Sequence, residues 1–169
     1  VLIHTELGSI DVLLGRYAMK EMIMKTAIVY VSIHHGNTKK LVDAVSEKYD
    51  ITVIDGIKDN DFDLAEFDRI GFATGIAYGR FYRQMLKIMN EKLPEGKAVF
   101  FLYTYGVKTE MYCNAARKIA AMKKATILGE YGCRGYDTYG PFKLLGGISK
   151  GHPDKTDVQN AIEFYGNLK

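Results

Sequence analysis

Residues 26–38 read TAIVYVSIHHGNT, a continuous apolar run followed by a short polar loop. The run Ala27–Val31 is apolar on both alternating sets of positions, which predicts a strand buried on two faces. The following segment, Asn37–Tyr49, repeats apolar residues such as Leu41 and Val45 at helical spacing. A buried strand, a loop and a helix in this order are typical of a parallel α/β sheet.

The rest of the chain alternates the same two kinds of segment. Further strands are predicted at Ile51–Ile54, Arg69–Thr74, Ala98–Tyr103 and Thr126–Gly132. Helices are predicted at Phe81–Met89, at Met111–Met122 and from Asp154, whose spacing to Asp157 resembles a capping box, to about Tyr165. The alternation predicts an α/β fold, a three-layer doubly wound five-stranded parallel sheet in the strand order 2-1-3-4-5.

Size and composition favour a single domain. The chain has 169 residues, 47% of them hydrophobic and 25% charged, which are ordinary globular values. Met24 directly precedes the first strand and would make a natural start, so we expect residues 1–23 to be an N-terminal extension or cloning remnant and residues 24–169 to form the domain. Cys113 and Cys133 match no metal-binding spacing and are expected to be reduced and buried.

Charge and hydropathy exclude several classes of function. The 23 basic and 20 acidic residues are interspersed without a basic stripe, so no nucleic-acid partner is expected. No apolar run approaches the roughly 18 to 20 residues of a membrane span, so no membrane association is expected. His34 and His35 are adjacent, and adjacent side chains point apart, so no metal site is predicted. These features, with the reduced cysteines, favour a cytoplasmic protein.

In doubly wound sheets, ligands bind outside the carboxyl ends of the strands, where the strand order reverses. The loops after the first, third and fourth predicted strands therefore carry the candidate site. The first loop contributes Ser32, His34, His35, Gly36, Asn37 and Thr38. Its backbone N–H groups and the helix dipole suit a phosphate, and its side chains add donors, but a Gly-Asn-Thr sequence also fits a simple helix cap.

The other two loops combine glycines with aromatic residues. The second contributes Thr74, Gly75, Ile76, Tyr78 and Gly79, and the third contributes Tyr103, Thr104, Tyr105 and Gly106. Glycine lets the backbone turn a polar group toward a planar ring, and tyrosine offers a stacking face. Each aromatic residue alone is more often a core residue. The coincidence of three such loops at one edge indicates a ligand site.

Residues 35–38, His-Gly-Asn-Thr, together with Ser32 resemble the phosphate loop of the flavodoxin family, commonly Thr/Ser-x-Thr-Gly-x-Thr. One residue is inserted and a histidine replaces a hydroxyl. The resemblance covers Met24–Lys169, and the segments Cys133–Asp137 and Lys150–Pro153 are similar to those of a group of bacterial flavodoxin-like proteins. It implies FMN bound non-covalently by the candidate residues of the three loops, with Gly75 or Gly79 near the flavin N5 and Tyr103 to Gly106 beside the ring.

The resemblance also implies a function in electron transfer, with a reductase or acceptor protein as redox partner and the chain acting as a monomer or weak homodimer. The alternative is an FMN-dependent NAD(P)H or quinone oxidoreductase on the same fold, in which the long loop 135–151 would form or close an open face over the ring. Carrier flavodoxins are usually strongly acidic, whereas this chain has a net charge of +3. Electrostatic steering toward a basic reductase is therefore not evident.

Overall fold

The structure is a computed structural model that describes residues 24–59 and 61–169. The strands are β1 (Thr26–Val31), β2 (Thr52–Asp55), β3 (Arg69–Ala77), β4 (Arg80–Phe81), β5 (Ala98–Tyr105) and β6 (Thr126–Arg134). The helices are α1 (Asn37–Lys48), α2 (Arg83–Lys92), α3 (Asn114–Met122) and α4 (Lys155–Gly166), with a 3-10 turn at Gly140–Lys143. The predicted extension, residues 1–23, lies outside the described residues.

Strands β2, β1, β3, β5 and β6 pair in that order, and every pairing among them is parallel. The short strand β4 pairs antiparallel with the end of β3. Apart from β4, the order is the predicted 2-1-3-4-5, and the predicted fold class is confirmed. The order reverses at β1, because the chain first moves outward to β2 and then returns to place β3 on the other side of β1.

The sheet has a hydrophobic core on each face, because successive residues of a strand point to opposite sides. Val29 and Phe101 contribute to the core that packs under α2 and α3. Ile28 and Phe100 contribute to the core that packs under α1 and α4. The central strands are therefore apolar at nearly every position, as strands covered by helices on both faces must be.

The carboxyl end of β3 differs from the prediction. The strand continues to Ala77 and turns directly into β4, where Phe81 pairs with Ile76 and is fully buried. The prediction of a helix from Phe81 is wrong at this end, since Tyr82 is the N-cap residue and α2 begins at Arg83. The apolar spacing of residues 81–89 is shared between a buried strand residue and a helix.

Other boundaries near the carboxyl edge also differ from the prediction. Strands β5 and β6 continue past the predicted ends Tyr103 and Gly132, because they pair with each other as far as Tyr105 and Arg134. Helix α3 begins at Asn114 rather than Met111, since residues 110–113 form a turn. These extensions lengthen the sheet at its carboxyl edge.

The predicted capping box is confirmed at the start of α4. The Asp157 N–H donates to Asp154 Oδ1 at 2.9 Å, and the Asp154 N–H donates to Asp157 Oδ2 at 2.9 Å. Two backbone N–H groups that a helix start leaves without partners are thereby satisfied. The loop that follows β6 consequently ends in a well-anchored helix.

The two cysteines are free and buried, one in each core, as predicted. Burial raises the pKa of the Cys113 and Cys133 thiols to about 12, so both stay neutral near neutral pH. No helix within residues 24–59 and 61–169 is long and apolar enough to cross a bilayer.

Gly71, in the middle of β3, lies where a side chain has no space. An added Cβ would overlap the Phe100 ring and lie 2.9 Å from Ile28 Cγ1. We expect Gly71→Ala to lower the free energy of unfolding in urea by about 1–3 kcal/mol through overpacking. Phe100→Leu makes room, so the double variant should lose less stability than the two single losses added together. Strictly additive losses would contradict the steric explanation.

Candidate functional site at the carboxyl edge of the sheet

A cleft of about 300 Å³ opens at the carboxyl edge of the sheet. It lies beyond the carboxyl ends of the paired strands β1 and β3, between the loop that precedes α1 and the loops that follow β3, β5 and β6. This is the switch point at which open parallel sheets bind their ligands. Its volume is at the lower end of the range of small-molecule sites.

One end of the cleft is formed by the loop between β1 and α1. His35 and Gly36 adopt positive φ angles of 55° and 66°, and Gly36 is the N-cap residue of α1. Gly36 has no side chain with which to cap the helix, and the first turn of α1 has no acidic residue. Among the described residues, none accepts a hydrogen bond from the backbone N–H of His35, Gly36 or Thr38. This end is therefore rich in unsatisfied donors, which suits an anion.

Side chains of the same loop hold the neighbouring loops in place. Thr38 Oγ1 and Thr104 Oγ1 are 2.9 Å apart and buried, which joins the start of α1 to the end of β5. Asn37 Nδ2 donates to the Tyr136 carbonyl at 2.8 Å, which joins α1 to the loop after β6. Ser32 Oγ accepts the Lys39 N–H at 3.3 Å and keeps its own hydroxyl hydrogen available for another partner.

The two adjacent histidines point in different directions. His34 lines the cleft, and its ring centroid is 6.3 Å from that of Tyr82 and 6.4 Å from that of Tyr139. His35 turns outward, and its Nε2 lies 2.9 Å from Thr138 Oγ1. Neither histidine belongs to a cluster of potential metal ligands among the residues that the structure describes.

A tight hairpin between β3 and β4 forms one wall. Its two turn residues, Tyr78 and Gly79, have φ angles of 51° and 74°, the signature of a type I′ turn. A positive φ is rare for a residue as bulky as tyrosine. Tyr78 is 80% exposed. Its ring packs edge to face against the ring of Tyr139, which lies in the loop after β6, and the two hydroxyls are in contact.

The walls of the cleft carry six tyrosines and one carboxylate, Asp137. Burial, reinforced by the charge of Asp137, raises the pKa of Tyr82 to about 12. Burial also raises the pKa values of Tyr105 and Tyr112. These phenols therefore stay neutral near neutral pH and serve as hydrogen-bonding or stacking groups.

Glycines mark the places where facing side chains approach the backbone. An added Cβ at Gly75 would lie 2.6 Å from the Tyr82 hydroxyl oxygen, and one at Gly106 would overlap the carboxylate of Asp137. A Cβ at Gly79 would meet no atom within 4 Å. Gly75 is therefore required for packing, whereas Gly79 is required only for its left-handed backbone.

Most of the predicted site residues line this cleft. They are Ser32, His34, Asn37, Thr38, Gly75, Ile76, Tyr78, Gly79, Thr104, Tyr105 and Gly106. The other predicted residues, His35, Gly36, Thr74 and Tyr103, do not line it. Thr74 is fully buried within β3, and Tyr103 packs against the Phe81 ring.

The loop after β6 was expected to form or close a face over the ring, but none of its residues was among the predicted site residues. Gly135, Tyr136, Asp137, Tyr139 and Phe142 of this loop line the cleft, as do Tyr82 and Tyr112. The tyrosine and glycine content of residues 133–151 was a usable signal, since such loops commonly form binding surfaces. The sequence alone does not show that this loop folds back over the switch point, because the return depends on Asn37 and the Tyr136 carbonyl.

The sheet order and the position of the cleft define an open, doubly wound α/β protein with a ligand site at its switch point. A flavodoxin domain family matches residues 27–128. An uncharacterized protein of the archaeon Methanocaldococcus jannaschii is 34% identical over 143 residues, which cover 83% of this chain and 95% of that protein. The chain belongs to the flavodoxin domain family, and the bacterial origin that the sequence suggested stays a prediction.

Solved structures agree on the fold. A flavodoxin from the domain Archaea superposes with a TM-score of 0.61 at 21% identity, over 86% of this chain and 99% of that chain. Rubredoxin oxygen:oxidoreductase from Desulfovibrio gigas superposes with a TM-score of 0.63 at 10% identity, over 90% of this chain but only 37% of that chain. The same fold thus occurs both as a whole protein and as one part of a larger one.

The Thr38–Thr104 pair provides a test of how the site is held together. We expect Thr104→Val to lower the free energy of unfolding by about 1–2 kcal/mol, because the Thr38 hydroxyl is left buried without its partner. Removing both hydroxyls in Thr38→Val/Thr104→Val should cost less than the sum of the single changes. Urea denaturation of the four proteins gives the coupling, and a coupling of zero would show that the two hydroxyls act independently.

Proposed function

We propose that the chain binds FMN non-covalently in the cleft and acts as an electron-transfer protein. The observation that carries this proposal is the continuity of the cleft from the start of α1, where backbone N–H groups lack acceptors among the described residues, to a set of tyrosine-lined walls. FMN consists of a phosphate joined through a ribityl chain to a planar ring, so its phosphate suits the helix start and its ring suits the tyrosine-lined walls. Membership of the flavodoxin domain family supports the same cofactor.

The phosphate would bind at the start of α1. The backbone N–H groups of Gly36 and Thr38 and the hydroxyl of Ser32 supply donors there, and the positive end of the helix dipole favours a negative charge. Within the part of the chain that the structure describes, no lysine or arginine lines the cleft. Recognition of the phosphate would therefore depend on neutral donors, whose positions are fixed by the hydrogen bonds of Asn37 and Thr38.

The planar ring would lie between the hairpin and the loops after β5 and β6. Tyr78, Tyr82, Tyr105 and Tyr139 supply aromatic faces and edges in this region, and Gly79 and Gly106 expose backbone groups. FMN, when bound, accepts and donates electrons singly or in pairs. The contribution of the chain is to orient the ring, to exclude water from it and to surround it with tyrosines that stay neutral.

The loop after β6 favours the electron-transfer role over the oxidoreductase alternative. A reductase needs an open face over the ring for a second substrate, whereas Tyr139 and Phe142 occupy the cleft wall and Tyr139 meets Tyr78 across its mouth. A nicotinamide ring would have to displace this contact. Transfer of an electron to a docked protein requires only that one edge of the cofactor be close to the surface.

Binding of FMN is tested by adding FMN to the purified chain, removing the excess by gel filtration and recording the visible absorption spectrum. We expect retained flavin absorption. Ser32→Ala should weaken FMN binding about tenfold, since it removes a hydrogen bond to a charged group, and should leave riboflavin binding nearly unchanged. Fluorescence titration of both flavins gives the two affinities.

Ser46→Ala is the matched control, because Ser46 lies in α1 away from the cleft and its hydroxyl donates to the Asp43 carbonyl. Its FMN affinity should equal that of the unmodified chain. A colourless protein after gel filtration would refute the proposed cofactor. Equal losses of FMN and riboflavin in Ser32→Ala would refute the proposed position of the phosphate.

The choice between carrier and reductase is tested with the FMN-loaded chain under anaerobic conditions. We expect NADPH and NADH to leave the flavin absorption unchanged, because Tyr78 and Tyr139 cover the approach to the ring. Addition of dithionite, a chemical reductant that needs no nicotinamide site, should then bleach it. Rapid bleaching by either nucleotide alone would favour the oxidoreductase alternative.

A further inference from the structure

The loops around the cleft expose an unusual amount of apolar surface. The side chains concerned are Tyr78, Val107, Met111, Tyr139, Leu144 and Leu145. Leu144 is 91% exposed and Leu145 is 77% exposed, so neither contributes to a core. We refer to these six residues as the mouth surface. Tyr78, Val107 and Tyr139 of this set line the cleft itself. Exposed apolar groups concentrated around a cleft usually mark an interaction site.

Positive charge surrounds the mouth surface. Residues 78–80, 106–113 and 134–151 contain five cationic side chains, Arg80, Lys108, Arg134, Lys143 and Lys150, and two anionic ones, Glu110 and Asp137. All five cationic side chains are exposed, and none forms a salt bridge with a described residue. The nearby acids Asp154 and Asp157 are engaged in the cap of α4 and with His152.

Of the sixteen lysines and arginines elsewhere among the described residues, five form a salt bridge with a carboxylate: Lys25, Lys39, Lys58, Arg117 and Lys124. The unpaired charges at the mouth therefore produce a local positive field, which steers an approaching negative surface. An apolar centre with a charged rim is the arrangement of protein–protein interfaces, and Tyr, Met and Arg are enriched there.

This charge pattern discriminates between the possible occupants. A second copy of the chain would bring the same cationic rim against itself, and like charges across an interface are unfavourable. A small anionic ligand bound in the cleft would leave Leu144 and Leu145 uncovered, since they do not line it. An acidic protein surface would bury the exposed apolar side chains and pair its carboxylates with the unpaired cations.

We propose that the mouth surface docks a small acidic electron-transfer protein, with Lys108, Lys143 and Lys150 contacting its carboxylates. This inference rests on the proposed function, because the FMN ring would lie directly beneath the docked partner. In an acidic carrier flavodoxin the flavin protein is negative and its partner is positive. In this complex the flavin protein would be positive and its partner negative. The redox partner is accordingly expected to be acidic rather than basic.

The test measures binding by isothermal titration calorimetry, with an oxidised acidic ferredoxin as the probe and cytochrome c as a basic probe. We expect the FMN-loaded chain to bind ferredoxin at low ionic strength, to lose affinity as salt rises and to bind cytochrome c weakly or not at all. Lys108→Gln/Lys143→Gln/Lys150→Gln should weaken ferredoxin binding about tenfold or more. Leu144→Ala/Leu145→Ala should weaken it as well.

The matched control, Lys48→Gln/Lys87→Gln/Lys118→Gln, removes the same charge from exposed helix positions outside the mouth. Met122→Ala is the control for the leucines, since Met122 is exposed at the end of α3. Both controls should bind ferredoxin within about twofold of the unmodified chain. Equal losses in the two lysine variants would overturn the proposal, because net charge alone would then account for binding.

Two other outcomes would also overturn it. Association of the chain with itself, detected by sedimentation and lost in Leu144→Ala/Leu145→Ala, would assign the mouth surface to a second copy. Binding to phosphatidylglycerol vesicles without binding to ferredoxin would assign it to a lipid surface. Loss of flavin colour is a separate result, since it contradicts the proposed cofactor and leaves the calorimetric binding of ferredoxin to be measured on the same chain.

Discussion

The reversal of strand order between β1 and β3 is the constraint on which the rest of the molecule depends. Both strands are parallel and buried on both faces, and the chain leaves each of them through a helix that covers one face of the sheet, α1 after β1 and α2 after β3. The loops that follow these two strands leave in opposite directions, and the space between them cannot be filled by either. The cleft is therefore a product of topology, and the side chains around it only determine what it accepts.

The parts of the fold that follow from local patterns were predictable from the sequence. Strand β1 is a continuous apolar run, and helix α1 repeats apolar residues at helical spacing. The spacing of Asp154 and Asp157 identifies the start of α4. The hairpin at Tyr78 was not predictable in this way. Its turn uses a tyrosine where asparagine or glycine is usual, and the buried Phe81 fits the apolar stripe of the following helix.

The candidate site was predictable to the extent that it is built from strand ends. Ser32 and Gly106 directly follow β1 and β5, Gly75 lies near the carboxyl end of β3, and the topology brings all three together at one edge. Asp137 and Tyr139 are different, because they reach the cleft only through long-range contacts of the loop after β6. One of these contacts, from Asn37 to the Tyr136 carbonyl, spans 99 residues. No local pattern encodes a pairing over that separation.

The two walls of the cleft mouth differ in how well they tolerate inserted residues. Tyr78 stands in a two-residue turn whose register is fixed by Phe81 in the core, so inserting even one residue there would rotate the tyrosine away from the cleft. The opposite wall, residues 135–151, contains four glycines with positive φ and no strand of the main sheet. Insertions are accommodated there without disturbing the sheet. New partners would thus be accommodated by sequence changes in residues 135–151, while the hairpin at Tyr78 stays the same.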